Sequence, residues 1–218
     1  MNKRKLTALV ASLSLVAVVG IGATLAYFTD NASTQNIVTM GHVDISLTEN
    51  EVTKNENGDY IVDDTKPVTE EGLVFDGVLP GDTIPKNPTI NLLDGSVDAY
   101  VRIKMDIAAD DGSTISQADL DVLESNLRAE ILEDTNWYYN SADGYYYYTP
   151  VLSAEESAVL FETVTIPGEE WKNNTADQSF TISLQAEAIQ ADNFTPDMNG
   201  TQVTGWKGIT AETYEAGN

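Results

Sequence analysis

Strict alternation of apolar and polar residues is the feature that most limits how this chain can fold. It is clearest in "DAYVRIKMDI", where Ala99, Val101, Ile103, Met105 and Ile107 alternate with polar or aromatic residues. A period of two places successive side chains on opposite faces of a β-strand. The segment is therefore predicted to be a strand with one buried face and one wet face.

The same alternation recurs elsewhere in the sequence. In "GHVDISLTE", Val43, Ile45 and Leu47 fall on one face and the polar residues on the other. "SFTISLQAEAIQADNF" is predicted to be a long closing strand, since its apolar residues also recur at every second position. The dipeptides Asn57-Gly58 and Asp143-Gly144 are typical of tight turns between paired strands.

One segment has helical spacing instead. Ser116 is a suitable N-cap, and Asp119 three residues later completes a variant of the capping box. Apolar residues then recur at intervals of three and four, at Leu120, Leu123, Leu127 and Ile131. A helix over about 116–133 inserted among several short strands predicts an all-β fold, an antiparallel sandwich with one α-helix.

Composition limits the classes of function. The chain has 218 residues, and its 42% hydrophobic content is sufficient for a core. Its 35 acidic and 11 basic residues give a net charge of −24, which disfavours nucleic acids and anionic lipids as partners. The absence of cysteine excludes disulfides, thiolate catalysis and cysteine-ligated zinc.

The sequence offers little for catalysis. Its single histidine, His42, lies on the polar face of a predicted strand, and HExxH, GxSxG, P-loop and GxGxxG patterns are missing. The loops "NENGD" and "AADDGST" are rich in oxygen ligands, but neither has EF-hand spacing, so turn formation is the favoured interpretation. We therefore expect no enzyme activity and no cofactor.

A cluster of tyrosines is the most unusual feature of the composition. It admits two interpretations, a cross-strand aromatic ladder that stabilises a hairpin or an exposed aromatic face that binds a glycan or another protein. The cluster comprises six of the ten tyrosines, Tyr138, Tyr139, Tyr145, Tyr146, Tyr147 and Tyr148.

The N-terminus has the layout of an export signal. Three basic residues in "MNKRK" precede an uncharged run from Leu6 to Leu25, long enough for either a signal peptide or a membrane anchor. Small residues at its end and the lack of a basic stop-transfer cluster favour cleavage, after Ala26 with Thr24 at the −3 position. A retained anchor is the alternative.

Several motifs in order resemble the TasA/camelysin family of biofilm-matrix and surface-fibre proteins. "GATLAYFTD" resembles the site cut by the SipW-type signal peptidase of Gram-positive bacteria. "VTMGHVDISLTE", "LPGDTIPKNPTINLLDGSVDAYVRIKM" and "SFTISLQAEAIQADNF" are similar to the family's first strand, its Pro-Gly-Asp turn with the long central strand, and its last strand. Together these motifs span most of residues 20–194.

The resemblance implies a domain organisation. Residues 1–27 would be a signal peptide removed by a dedicated type I signal peptidase, with Thr24, Ala26, Tyr27 and Phe28 around the cut. By similarity to the family, cleavage would follow Tyr27. Residues 41–194 would form a jelly-roll-like β-sandwich, and residues 195–218 a loosely ordered tail.

The resemblance also implies a function outside the cell, in the extracellular matrix or at the cell surface. Residues 28–40 would be a free arm that adds as a strand to the next subunit, with Phe28, Ile37, Val38 and Met40 as its buried side chains. The partners would then be the chain itself or related fibre subunits, with membrane contact only through the uncleaved signal. A non-polymerising adhesin or glycan-binding module and a camelysin-type peptidase are the alternatives.

N-terminal sequencing of the exported protein tests the processing prediction. We expect the mature chain to begin at Tyr27, if small residues place the cut after Ala26, or at Phe28, if the cut follows Tyr27 as the family resemblance implies. An exported form that still begins at Met1 would show instead that the apolar run is a retained anchor.

Overall fold

The computed structural model describes residues 41–168, 170–171, 175, 178–208 and 212–215, and a compact unit begins at Gly41. The predicted signal peptide (1–27) and arm (28–40) lie outside the described residues. So do their named positions, Thr24, Ala26, Tyr27, Phe28, Ile37, Val38 and Met40.

The described residues contain fourteen strands and one helix. The strands are β1 (Ile45–Thr48), β2 (Val52–Lys54), β3 (Tyr60–Val62), β4 (Thr83–Pro85), β5 (Thr89–Leu92), β6 (Ala99–Ala109), β7 (Trp137–Asn140), β8 (Tyr145–Tyr148), β9 (Ser157–Val159), β10 (Thr163–Thr165), β11 (Phe180–Gln190), β12 (Asp197–Asn199), β13 (Gln202–Gly205) and β14 (Glu212–Glu215). The helix is α1 (Gln117–Ile131).

The strands form two larger sheets and three short pairs. The larger sheets have the orders β14-β11-β6-β8-β7 and β1-β5-β9, and β10-β4, β12-β13 and β2-β3 pair separately. Every strand pairing is antiparallel. The prediction of an all-β antiparallel sandwich with one helix is confirmed.

The longest pairing joins β6 and β11. It runs over eleven residue pairs, from Ala99 opposite Gln190 to Ala109 opposite Phe180. On one face Val101 and Ile103 are fully buried in the main core, as their alternation predicts. These two strands are therefore the centre of the larger sheet.

The local predictions for the helix and the turns are also confirmed. Ser116 has extended backbone at the N-cap, and its hydroxyl accepts from the Asp119 N–H at 3.2 Å. The residues buried along α1 are those with helical spacing, Leu120, Leu123, Leu127 and Ile131. Gly58 and Gly144 have φ values of 90° and 79° in the β2–β3 and β7–β8 turns, a conformation that favours glycine.

The second face of β6 differs from the prediction. Arg102, expected on a wet face, is only 8% exposed. The segment expected to be a loosely ordered tail contains a hairpin of β12 and β13. Val203 and Trp206 of this segment form a second apolar cluster with Tyr147, and this cluster covers Arg102. No helix of the described part is both long enough and apolar enough to cross a membrane.

Shortening a core side chain of the helix should test the packing. Leu123 is fully buried in the main core, so Leu123→Ala should lower the free energy of unfolding by about 2–5 kcal/mol in urea denaturation. Leu132→Ala is the matched control, because Leu132 is 40% exposed and should change stability by less than about 1 kcal/mol. Equal losses in the two variants would contradict this account of the core.

Candidate functional site

Arg102 is the centre of a buried polar cluster on the outer face of the larger sheet. The strand register places it opposite Glu187 of β11 and Tyr147 of β8. Its Nε and Nη2 donate to Glu187 Oε2 at 2.9 and 2.5 Å, and its Nη1 donates to the Tyr147 hydroxyl at 2.9 Å. The ion pair compensates a charge that would otherwise be costly to bury.

Aromatic rings enclose the guanidinium group. The Arg102 Cζ atom lies 3.9 Å from the ring centre of Tyr145 and 4.4 Å from that of Trp206. Tyr145 also donates its hydroxyl to Glu187 Oε1 at 2.7 Å, so both carboxylate oxygens of Glu187 accept hydrogen bonds. The arginine is thus held by hydrogen bonds in its plane and by cation–π contacts on its faces.

The cluster joins the C-terminal hairpin to the sheet. Asn140 Nδ2 donates to the Thr204 carbonyl at 3.0 Å, and the Val203 N–H donates to Thr149 Oγ1 at 3.2 Å. Trp206 packs edge-on against Tyr147 with ring centres 5.8 Å apart. This arrangement is suited to structural support, since Arg102 is only 8% exposed and its guanidinium is already bonded to Glu187 and Tyr147.

Burial changes the acidity of the tyrosines in this cluster. The pKa of Tyr147 is raised to about 12, first by burial and then by its hydrogen bond to Asp143, which outweigh the opposing effect of Arg102. Burial and the bond to Glu187 likewise raise the pKa of Tyr145. The pKa of Arg102 is raised as well, because burial lowers it less than Glu187 and Tyr147 together raise it.

Five of the six tyrosines of the cluster pack against another aromatic ring of the β7–β8 hairpin, which favours the ladder. Tyr146 and Tyr147 are 1% and 0% exposed, and Tyr138, Tyr139, Tyr145 and Tyr148 are half-buried. Across the β7–β8 pairing, Tyr139 stacks against Tyr146 and Trp137 against Tyr148, with ring centres 4.8 and 4.9 Å apart. The hairpin therefore uses its aromatics to pack both faces of the sheet.

His42 is an exposed residue with an exposed partner. Its Nε2 lies 3.3 Å from Asp44 Oδ2, and both side chains are about 60% exposed. In the part of the chain that the structure describes, no three His, Cys, Asp or Glu side chains gather closely enough to hold a metal ion.

The β1 strand is an edge of the smaller sheet. Leu93 N–H donates to the Asp44 carbonyl at 2.9 Å, which sets the alternation of the ladder. The N–H and C=O groups of Ile45 and Leu47 consequently point away from β5. Within the described ranges, no backbone hydrogen bond reaches these groups. Just after the strand, the backbone N–H and C=O groups of Glu49 bond to those of Thr69, with two distances of 2.8 Å.

The opposite edge of the same sheet is partly covered. At β9, the Val159 carbonyl accepts a hydrogen bond of 2.9 Å from the Trp137 indole. The two edges thus differ, because one outward group of β9 is occupied, whereas no backbone hydrogen bond among the described residues reaches the outward groups of Ile45 and Leu47.

Sequence reasoning missed the residues that build these features. Arg102 was expected on a wet face, and Glu187 was assigned no role. The pairing of two long alternating strands offered a signal for Glu187, because it aligns an acid in β11 with a base in β6. Nothing local to Trp206 indicates which face it covers.

Comparison with known proteins matches residues 1–136 to the family described as camelysin metallo-endopeptidase. The match covers more than half of the chain and includes β1 to β6 and α1. No curated protein sequence matches the chain significantly, and no solved structure does so either.

Alkaline titration tests the environment of Tyr147. The folded protein keeps this proton up to about pH 12, whereas the unfolded chain loses it near pH 10, so the free energy of unfolding should fall as pH rises between these values. The contribution of this one group to the slope approaches about 1.4 kcal/mol per pH unit.

Tyr147→Phe should make the free energy of unfolding fall less steeply with pH between about pH 10 and pH 12. Comparing each variant's stability at about pH 8 with its stability at about pH 11.5 cancels the constant cost of the lost hydrogen bonds. A slope identical to that of the native protein would contradict the assignment.

Proposed function

This chain belongs to the camelysin metallo-endopeptidase family, the TasA/camelysin group, and we propose that it is an exported structural subunit of extracellular fibres. In this proposal each subunit donates the arm at 28–40 as an additional strand to the next subunit. The single observation that carries the proposal is the edge of β1, whose backbone groups at Ile45 and Leu47 face away from β5. Such an edge is a template for pairing with another chain.

The sequence that precedes β1 is suited to be the donor. Residues 31–40, "NASTQNIVTM", carry no charge and include the β-branched residues Thr34, Ile37, Val38 and Thr39. Peptidase cleavage near Ala26 would release this arm only after export. The proposed fibre would therefore form outside the cell, in the matrix or at the cell surface of a Gram-positive bacterium.

Net charge sets the conditions for assembly. Removal of residues 1–27 takes away Lys3, Arg4 and Lys5, so each subunit carries a charge of −27 and repels the next. The uncharged segment 31–40 gives a contact that does not add to this repulsion. Assembly should accordingly be faster at an ionic strength where the Debye length is about 8 Å or less.

Blocking the β1 edge tests the proposal directly. Ile45→Pro removes the outward N–H without taking a hydrogen bond from β5, a position where sheets tolerate proline. We expect the exported protein with Ile45→Pro to remain monomeric in analytical ultracentrifugation and to form no fibres in electron micrographs, as should a variant lacking residues 28–40. Ile45→Val, which keeps the N–H, is the matched control and should assemble normally.

Two results would overturn the proposal. One is fibre formation by both the Ile45→Pro variant and the variant without the arm. The other is an exported native protein that stays monomeric under all the salt conditions tested.

The family description favours a second candidate, a secreted metallo-endopeptidase. The residues do not fit the zinc site that this activity needs, since the chain has one histidine and no cysteine and His42 pairs with Asp44 alone among the described contacts. We derive no catalytic step through a metal. Chelator-sensitive cleavage of casein by the purified exported protein would favour this candidate, and His42→Ala would show whether that residue takes part.

The non-polymerising adhesin that uses the tyrosine hairpin is supported less than the fibre subunit. It requires exposed aromatic rings, and the rings of Tyr146 and Tyr147 are buried. If glycan or host-cell binding is retained when Tyr145 is changed to Ser and the fold is intact, the Tyr145 ring of the hairpin does not take part in binding.

A further inference from the structure

A groove of about 430 Å³ lies on the outer face of β1 and β5. Its floor consists of two cross-strand pairs, Ser46 opposite Asn91 and Thr48 opposite Thr89. Along each strand these polar residues alternate with apolar residues, such as Leu47, that face the core. Ser46 and Thr48 are nevertheless only 6% and 9% exposed. The groove thus presents a recessed row of hydroxyl and amide groups.

The hydroxyl groups of the floor have hydrogen-bonding capacity to spare. Asn91 Nδ2 donates to Thr48 Oγ1 at 2.9 Å and to Ser46 Oγ at 3.4 Å. Both hydroxyls act as acceptors in these bonds, and each keeps its own O–H proton to donate. No described residue accepts that proton from either of them.

One residue that lines the groove has a buried carboxylate oxygen without a partner among the described residues. Glu49, a lining residue, is 8% exposed, and its Oε1 accepts from Lys86 Nζ at 2.5 Å. Its Oε2 is buried without a hydrogen-bond partner among the described residues. Buried acceptors in this condition are costly unless something donates to them.

The charges around this oxygen favour a neutral hydrogen-bond donor over a charged one. Lys86 already neutralises Glu49, so a cationic ligand would bring an unbalanced charge into the groove. The net charge of −24 repels an anionic ligand. A hydroxyl group fits both conditions.

The groove has two exposed apolar residues at its rim, and Asn50 and Asn87 also line it. Val68 and Leu93 line it and are 57% and 41% exposed. A polar floor between apolar walls matches the two kinds of surface on a sugar ring, its hydroxyl edge and its C–H face. The volume falls in the range of about 300–1,000 Å³ that is typical for small-molecule sites.

We propose that this groove is a binding site for a neutral saccharide. The Ser46 and Thr48 hydroxyls donate to ring substituents, Val68 and Leu93 contact the C–H face, and the Glu49 side chain turns toward the groove so that Oε2 accepts from a sugar hydroxyl. The site is separate from the outward backbone groups of β1 and from the tyrosine hairpin. It adds to the fibre function a means of holding matrix polysaccharide, and it does not depend on assembly.

Titration calorimetry of the exported protein with cellobiose and with N,N′-diacetylchitobiose tests the proposal. We expect at least one disaccharide to bind, and Leu93→Arg to weaken binding about tenfold or more by filling the groove with a long charged side chain. Leu79→Arg is the matched control, because Leu79 is 64% exposed and does not line the groove. Circular dichroism checks that both variants are folded.

A second variant tests the polar floor separately. Thr48→Val keeps the shape and removes the hydroxyl, so it should also weaken binding about tenfold, the loss of one or two hydrogen bonds. The proposal is overturned if neither disaccharide binds, if Leu79→Arg weakens binding as much as Leu93→Arg, or if both groove variants bind like the native protein.

Discussion

The pairing of β6 with β11 is the interaction on which the rest of the structure depends. Its eleven residue pairs fix which side chains meet on each face of the larger sheet. One face supplies Val101 and Ile103 to the main core, and the other aligns Arg102 with Glu187. A slip of one residue would exchange these faces and bury the guanidinium among aliphatic side chains. The register is therefore determined by a charge as well as by hydrophobicity.

The strongly acidic composition limits how this molecule can contact anything else. Surfaces of like charge repel, so a productive contact has to use neutral groups. Both proposals meet this condition at β1, one through the backbone groups of Ile45 and Leu47 and the other through the hydroxyls of Ser46 and Thr48. The strand that follows the arm thus presents uncharged hydrogen-bonding groups from both its backbone and its side chains.

Features determined by neighbouring residues were predictable from the sequence. The alternation along 99–107, the Ser116 cap and the turns at Gly58 and Gly144 depend on residues only a few positions apart. The burial of Arg102 was not predictable, because it depends on Trp206, more than a hundred positions away. The tyrosines allowed two interpretations for the same reason, since the hairpin that covers Tyr147 comes later in the chain. The groove requires Glu49 and Lys86, 37 positions apart, to meet, which no local pattern reports.

The position of β6 has a consequence for how the chain can be divided. The family match ends at residue 136, yet both neighbours of β6 in the sheet, β8 and β11, lie after that point. The residues that neutralise and enclose Arg102 also lie there, at Tyr145, Tyr147, Glu187 and Trp206. A fragment that stopped where the family match stops would expose both edges of its longest strand and an unpaired arginine. The segment by which relatives are recognised is therefore shorter than the segment that has to fold together.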